Sequence, residues 1–239
     1  MHCVFCGLNL LFMNSLSSPR KRSLSLVLVG LLLVLQGCLT IEENYSFNKD
    51  GSGSMEYVVD MSEMAETLKG LPGAKGGKDD GLGKMELLDH VDTLKKLVGI
   101  TKVKLKKEKD GFVQRLSFRF ADVASLNNAL SQLMPDSSGM ATEFFRWDGN
   151  TLIRSNNHHA KEMTSGMGGG SGDSTDISGI LKMMRYKFDL RFADELGDVQ
   201  VANGVVKEAE GAKRMKLSTD FSVIGNDGAP LDLRVTLKK

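Results

Sequence analysis

A chain of 239 residues, 41% hydrophobic and 26% charged, has the balance of a folded globular protein. That excludes wholesale disorder and a multi-span membrane protein. A formal net charge of +1 gives no bulk attraction for nucleic acid, and three cysteines are too few for a disulfide scaffold. The length allows one domain comfortably and two at most.

The first segment reads as an address. Arg20, Lys21 and Arg22 form a basic cluster, and an apolar run follows from Leu24 through Leu35, interrupted weakly by Ser25 and Gly30. Leu35-Gln36-Gly37-Cys38 comes next. A basic start, an apolar run of about a dozen residues and a small residue at the cut describe a secretory signal peptide. A spanning helix needs about 20 apolar residues, and Glu42 and Glu43 stop the run before that. Met13 offers a start that gives a presequence of ordinary length. The Cys3 and Cys6 pair then lies ahead of that start. One C-x-x-C without a second pair or a βαβ context is a weak redox or metal signal.

Leu35-Gln36-Gly37-Cys38 resembles the lipobox of bacterial lipoproteins, Leu-x-Gly/Ala-Cys. The resemblance implies a signal peptide over 1–37, cleavage before Cys38, a diacylglyceryl group on its thiol and a further fatty acyl chain, such as palmitate, on the new amino group. Three chains exceed the two-signal minimum for stable anchoring. Leu39 rather than Asp follows the cysteine, which by resemblance to enterobacterial sorting favours the outer membrane over retention in the inner one. Losing Arg20, Lys21 and Arg22 turns the net charge from +1 to −2. The mature chain, 38–239, then has no free thiol, so its stability rests on its core.

Along that chain, Tyr45 and Phe47, then Met55, Tyr57, Val59 and Met61, alternate with polar residues on either side of Lys49-Asp50-Gly51-Ser52-Gly53. Period-two alternation about turn residues predicts a hairpin. Ser62 is a candidate N-cap for a short helix to about Lys69. Residues 70–83 hold six glycines and read as a flexible loop. Leu87, Leu88, Val91, Leu94 and Val98 recur at helical spacing, and Gly99 fits the position after that helix.

Asp110-Gly111 predicts a second hairpin, with Leu105 opposite Leu116 and Lys106 opposite Arg115. The same register sets Val103 against Phe118 and Lys102 against Arg119. Asp122 caps a helix bearing Val123, Leu126, Leu130 and Leu133. Asp148-Gly149 predicts a third hairpin that pairs Phe145 with Leu152, Phe144 with Ile153 and Glu143 with Arg154. Residues 157–173, most clearly 164–173, read as a second Gly-rich loop, followed by a helical piece at Ile177–Met183. Tyr186, Phe188, Leu190 and Phe192 alternate as a strand, Asn203-Gly204 signals a turn, and strands are expected near Met215–Val223 and Leu231–Leu237. Hairpins with interspersed helices, rather than βαβ repetition, predict an α+β fold: one domain, its mainly antiparallel sheet built from hairpins, with helices packed on one face.

Phe118-Arg119-Phe120-Ala121-Asp122-Val123 leading into a helix, the opening Phe47-Asn48-Lys49-Asp50-Gly51-Ser52-Gly53-Ser54, and Val201-Ala202-Asn203-Gly204 after an aromatic strand resemble the LppM-like domain of mycobacterial lipoproteins. The resemblance covers most of the mature chain in order. It implies a membrane-tethered α+β envelope domain with lipid handling and without enzyme activity. This chain departs from it in lacking an apolar C-terminal anchor and in carrying the two Gly-rich insertions.

Candidate chemistry is sparse. His158-His159 with Glu162 lack the convergence a metal site needs and read as solvated loop histidines. His90, between Asp89 and Asp92, reads as a half-exposed surface residue. Gly81-Leu82-Gly83-Lys84 fails as a phosphate loop, because Lys78 stands where glycine is required and Met85 follows the lysine. No Ser/His/Asp set or nucleophile elbow can be placed, so no catalytic residue, metal or cofactor is expected. Met61, Met64, Met183 and Met184 suit either an adaptable apolar pocket or plain core filling.

The strongest surface feature is the basic face of the second hairpin, Lys102, Lys104, Lys106, Arg115 and Arg119. Like charges opposite one another weaken a sheet. Either an anionic partner, such as lipid headgroups or envelope glycan, or the acidic face of the first hairpin (Glu42, Glu56, Asp60) must offset them. The sequence therefore predicts a non-enzymatic, lipid-anchored envelope module that binds or scaffolds, with carriage of an apolar or lipid ligand as the alternative.

Overall fold

The computed structural model describes residues 39–63, 87–135, 137, 142–155, 157–168, 177–226 and 231–238. The predicted loop over 70–83, Cys38 and Met64 lie outside them. Among the described residues, eleven strands and five helices follow in the order β1 (Thr40–Phe47), β2 (Gly53–Asp60), α1 (Leu88–Lys95), β3 (Ile100–Glu108), β4 (Val113–Phe120), α2 (Val123–Leu133), β5 (Phe145–Asp148) and β6 (Thr151–Arg154). Then come α3 (His158–Gly168), α4 (Ile177–Met183), β7 (Arg185–Phe192), β8 (Leu196–Val201), β9 (Val206–Ala209), β10 (Arg214–Asp220), α5 (Phe221–Asn226) and β11 (Leu233–Leu237). The fold is α+β, as the hairpin pattern predicts.

Seven strands form one sheet in the order β3-β4-β2-β1-β7-β10-β9, and four form another in the order β5-β6-β11-β8. Every pair is antiparallel except β1 with β7, which run parallel from Thr40 beside Arg185 to Phe47 beside Phe192. Period-two patterning decides the faces. Ile41, Glu43, Tyr45 and Phe47 of β1 turn inward with Leu116, Phe118 and Phe120 of β4 and Tyr186, Phe188, Leu190 and Phe192 of β7. Leu94 of α1, Leu126 and Leu130 of α2, Ala160 of α3, Phe221 and Ile224 of α5, and Leu152 and Val235 of the smaller sheet complete one apolar core over that face. Phe47 ties the layers together: its ring stacks on Phe192 at 5.5 Å and meets Phe120 at 5.7 Å, Phe145 at 5.9 Å and Trp147 at 6.2 Å. Such pairs add about 0.5–1.5 kcal/mol each beyond area burial.

Several local expectations change. The third hairpin turns at Gly149-Asn150, not Asp148-Gly149, so Phe145 faces Arg154 and Trp147 faces Leu152. The shift is two residues, which leaves every side chain on its predicted face. In the second hairpin Leu105 meets Leu116 and Lys106 meets Arg115 as expected, but the register slips between Thr101 and Lys104, so Thr101 opposes Arg119. Lys102 sits in that irregularity at φ 54°, a left-handed conformation typical of a bulge. α1 stops at Lys95, and Gly99, at φ +79°, instead turns the chain into β3. A Cβ there would collide with the Ser125 hydroxyl oxygen.

Of the loop expected over 157–173, residues 169–173 lie outside the described residues, and His158–Gly168 is helix α3, because His159, Ala160 and Thr164 find burial against the core. The strand expected to run to Val223 ends at Asp220, whose Oδ1 accepts from the Ser222 and Val223 N–H groups and starts α5. Asp60 accepts from Ser62 N–H at 2.9 Å, and the helix expected from Ser62 to about Lys69 lies outside the described residues beyond residue 63. The turn at Asn203-Gly204 carries the chain from β8 in the smaller sheet to β9 in the larger one; those two strands do not pair with each other.

Candidate functional site

Two polar constellations stand out, one sealed and one open. The sealed one lies in the core between the sheets. Glu43 projects inward from β1 and Arg154 from β6, and both side chains are fully buried. Arg154 Nη1 donates to Glu43 Oε2 at 2.8 Å, and Nη2 donates to Oε1 at 3.0 Å, a bidentate pair. Tyr45 and Tyr186 hydroxyls each donate to one carboxylate oxygen. Arg154 Nε donates to Asn157 Oδ1 at 2.9 Å, and Asn157 in turn donates to Asp232 at 2.9 Å. The guanidinium also lies over the rings of Phe188 at 4.7 Å and Phe145 at 5.0 Å.

Burial, and then the Glu43 charge, pushes the Tyr45 and Tyr186 phenols well above their usual range. Burial works against the Arg154 charge, but Glu43 and the two tyrosines outweigh it and hold the guanidinium charged. With both ions sealed from solvent, this cluster fastens β1 of one sheet to β6 of the other rather than meeting a substrate. His159 belongs to the same region. It is buried at the start of α3, with Nε2 3.3 Å from the Tyr186 hydroxyl and its ring edge-on to Phe144, so it is not a solvated loop histidine. His158 beside it is exposed, and among the described residues no three ligating side chains converge to hold a metal ion.

The open constellation is the outer face of the seven-stranded sheet. This face holds an open groove of about 930 Å³ crossed by β3, β4, β2, β1, β7, β10 and β9. Most of its charges are matched within the sheet. Asp189 accepts from Arg214 at 2.6 Å and from Arg191 at 3.3 Å, Lys187 faces Glu42 at 3.6 Å, and Lys216 pairs with Glu210 at 2.6 Å. Burial alone would raise the Asp189 carboxyl, but hydrogen bonds from Arg214 and Arg191 hold it below the usual carboxylate range.

The five sequence-predicted cations divide here. Lys106 lies 2.7 Å from Glu108, and Arg115 lies 3.5 Å from Glu56 and 3.7 Å from Glu108. Glu56 of the first hairpin, one of the residues expected to do so, thus takes up Arg115, whereas Lys106 is met by Glu108 of its own strand. Lys102, Lys104 and Arg119 are exposed, line the groove together and make no ion pair with any described residue. Periodicity places these three on one face but does not show that β4 lies beside β2, which is what brings Glu56 to Arg115.

A smaller groove of about 310 Å³ is lined mainly by Tyr57, Val59, Leu133, Met134, Pro135 and Met163. Of the methionines singled out in the sequence, Met61 and Met184 are buried in the core and Met183 is partly exposed. None of the three lines this groove. Among the described residues no helix is long and apolar enough to cross a membrane.

No family model matches the chain, and no curated protein matches it either. Among solved structures, the chain is similar to the folded domain of the LppM protein of Mycobacterium tuberculosis, determined by NMR, at a TM-score of 0.43 and 12% identity, over 85% of this chain and 93% of that one.

Proposed function

We propose that this protein is a lipid-anchored, non-enzymatic envelope module, tethered through Cys38, whose open sheet face binds a ligand bearing phosphate or carboxylate groups. The observation that carries the reading is the trio Lys102, Lys104 and Arg119, without carboxylate partners among the described residues in a groove where Lys187, Arg191, Arg214 and Lys216 are paired. Exposed ion pairs contribute only about 0.2–1 kcal/mol each, so three cations suit a repetitive anion that touches them together. The apolar-carrier reading draws on the 310 Å³ groove, which is too small for more than a short chain segment.

Two measurements test this. Cys38→Ala should abolish incorporation of a clickable fatty-acid analogue; a mutant that is still labelled removes the anchor. Full-length protein in neutral detergent should bind polyphosphate or a polyuronate at low salt and release it at high salt, since the Debye length falls from about 30 Å at 0.01 M to about 8 Å at 0.15 M. Lys104→Glu with Arg119→Glu should eliminate that binding without changing the melting temperature, whereas Lys106→Gln should leave it intact. Binding that survives the double reversal rules the groove out.

A further inference from the structure

We infer that the end of the seven-stranded sheet at which β1 begins lies against the bilayer, with the exposed apolar side chains of α4 entering its interfacial layer. The inference rests on the reading of Cys38 as the lipid-bearing residue and adds how the domain stands on the membrane.

No slack separates the anchor from the fold. Leu39 is buried, and its carbonyl accepts from the Arg185 N–H at 2.8 Å, so the chain is already fixed in the fold one residue after Cys38. Consecutive Cα atoms are about 3.8 Å apart. A lipid on Cys38 therefore holds this end of the sheet at the membrane surface instead of letting the domain hang from a linker.

Arg185 opens β7 directly after α4, with Met184 N–H donating to the Leu181 carbonyl at 3.3 Å. The helix is thus beside the point where the anchored chain enters the sheet. Its exposure pattern is the reverse of what solvent favours: Leu181 packs partly on the core, while Ile180 and Met183 remain 46% and 37% exposed. Spaced three apart, they share one helical face. Lys182, also exposed, lies between them in sequence and suits the headgroup level, where a lysine stem can lie along acyl chains with its ammonium in water.

Charge elsewhere at this end is balanced. Arg185 faces Asp220 at 3.6 Å, and Lys109 at the β3–β4 turn is followed by Asp110. Seating is accordingly driven by the apolar pair and the covalent lipid. The opposite end of the sheet, with the turn at Asn48–Ser52, stands about 25 Å away along the eight-residue β1 at about 3.3 Å per residue.

The mature chain carries no thiol except the lipidated one, so single labels can be added cleanly. Full-length Ile180→Cys, Met183→Cys and Lys49→Cys variants, each carrying an environment-sensitive fluorophore, are reconstituted into phosphatidylethanolamine–phosphatidylglycerol vesicles containing acyl-brominated lipid. Intact mass is measured on the same samples. The expected result is the lipid mass on Cys38, severalfold stronger bromine quenching at positions 180 and 183 than at 49, and a blue-shifted emission at the first two. Lipid mass present with equal, water-like emission at all three positions overturns the orientation and leaves the anchor standing. Absence of lipid mass overturns both.

Discussion

Glu43 shows how much one residue can contribute to the cohesion of two sheets. Alternation with Ile41, Tyr45 and Phe47 already turns it toward the core, where an unpaired carboxylate would be prohibitively costly. The partner is Arg154, far along the chain and in another sheet, held bidentately and surrounded by two phenols, an amide and aromatic faces. A buried pair of this kind gains little over apolar packing, but removing one member strands the other, at about 3–5 kcal/mol. Glu43→Gln and Arg154→Met should each destabilise the protein by about that amount in urea unfolding. The double variant should cost clearly less than their sum, since coupling energies for contacting residues run about 0.5–3 kcal/mol. Strict additivity would mean that the two side chains do not act as a unit. In the sequence Glu43 reads only as a stop to the apolar run; its partner lies beyond reach, because periodicity assigns a face to each strand and says nothing about which distant strand lies opposite.

At the scale of elements, capping residues decided what hydrophobic pattern left ambiguous. Phe221-Ser222-Val223-Ile224 reads as a continuing strand by composition, yet Asp220 offers its carboxylate to the next two free N–H groups and the chain turns helical. The α3 segment, rich in Gly, Ser and Met, is helical for a tertiary reason: it buries Ala160 and Thr164, and propensity yields to packing. Where cap and pattern agreed, the sequence reading held. Asp122 Oδ1 accepts from Ser125 N–H at 2.7 Å at the start of α2, and that hydrogen bond holds the Asp122 carboxyl below its usual range. A depressed folded-state value means that the cap contributes fully above the unfolded value of about 3.9 and is lost as pH falls through the folded one. Asp122→Ala should lower stability by about 1 kcal/mol at neutral pH. The gap to the wild type should close as the pH is taken below about 4; a gap that stays constant down to pH 2 would show that the carboxylate is not the source of the effect.

The whole molecule joins local hairpins through non-local pairings: β1 beside β7 in parallel, β4 beside β2, and β11 between β6 and β8. Turn chemistry specifies the hairpins, but no turn specifies these contacts, which is why the second sheet and the groove were not legible in the sequence although the fold class was. In the orientation inferred above, the same geometry determines what the groove can meet. Arg119 lies opposite Ser54, itself opposite Ser46 near the far end of β1. At about 3.3 Å per residue, this puts Arg119 about 20 Å from the anchored end. That distance is more than two Debye lengths at 0.15 M ionic strength, where the length is about 8 Å, and Lys104, level with Asn44 across β4 and β2, stands about 13 Å away, more than one, so the charge of the anchoring bilayer should reach the site strongly weakened. Lipidated protein in neutral and in anionic vesicles should therefore bind polyphosphate with nearly the same affinity at 0.15 M salt. At 0.01 M, where screening extends over about 30 Å, the anionic vesicles should repel the polyanion and weaken its binding severalfold. Strong dependence on lipid charge already at 0.15 M would place Lys102, Lys104 and Arg119 at the headgroups, and would make the membrane itself the anion that the groove contacts.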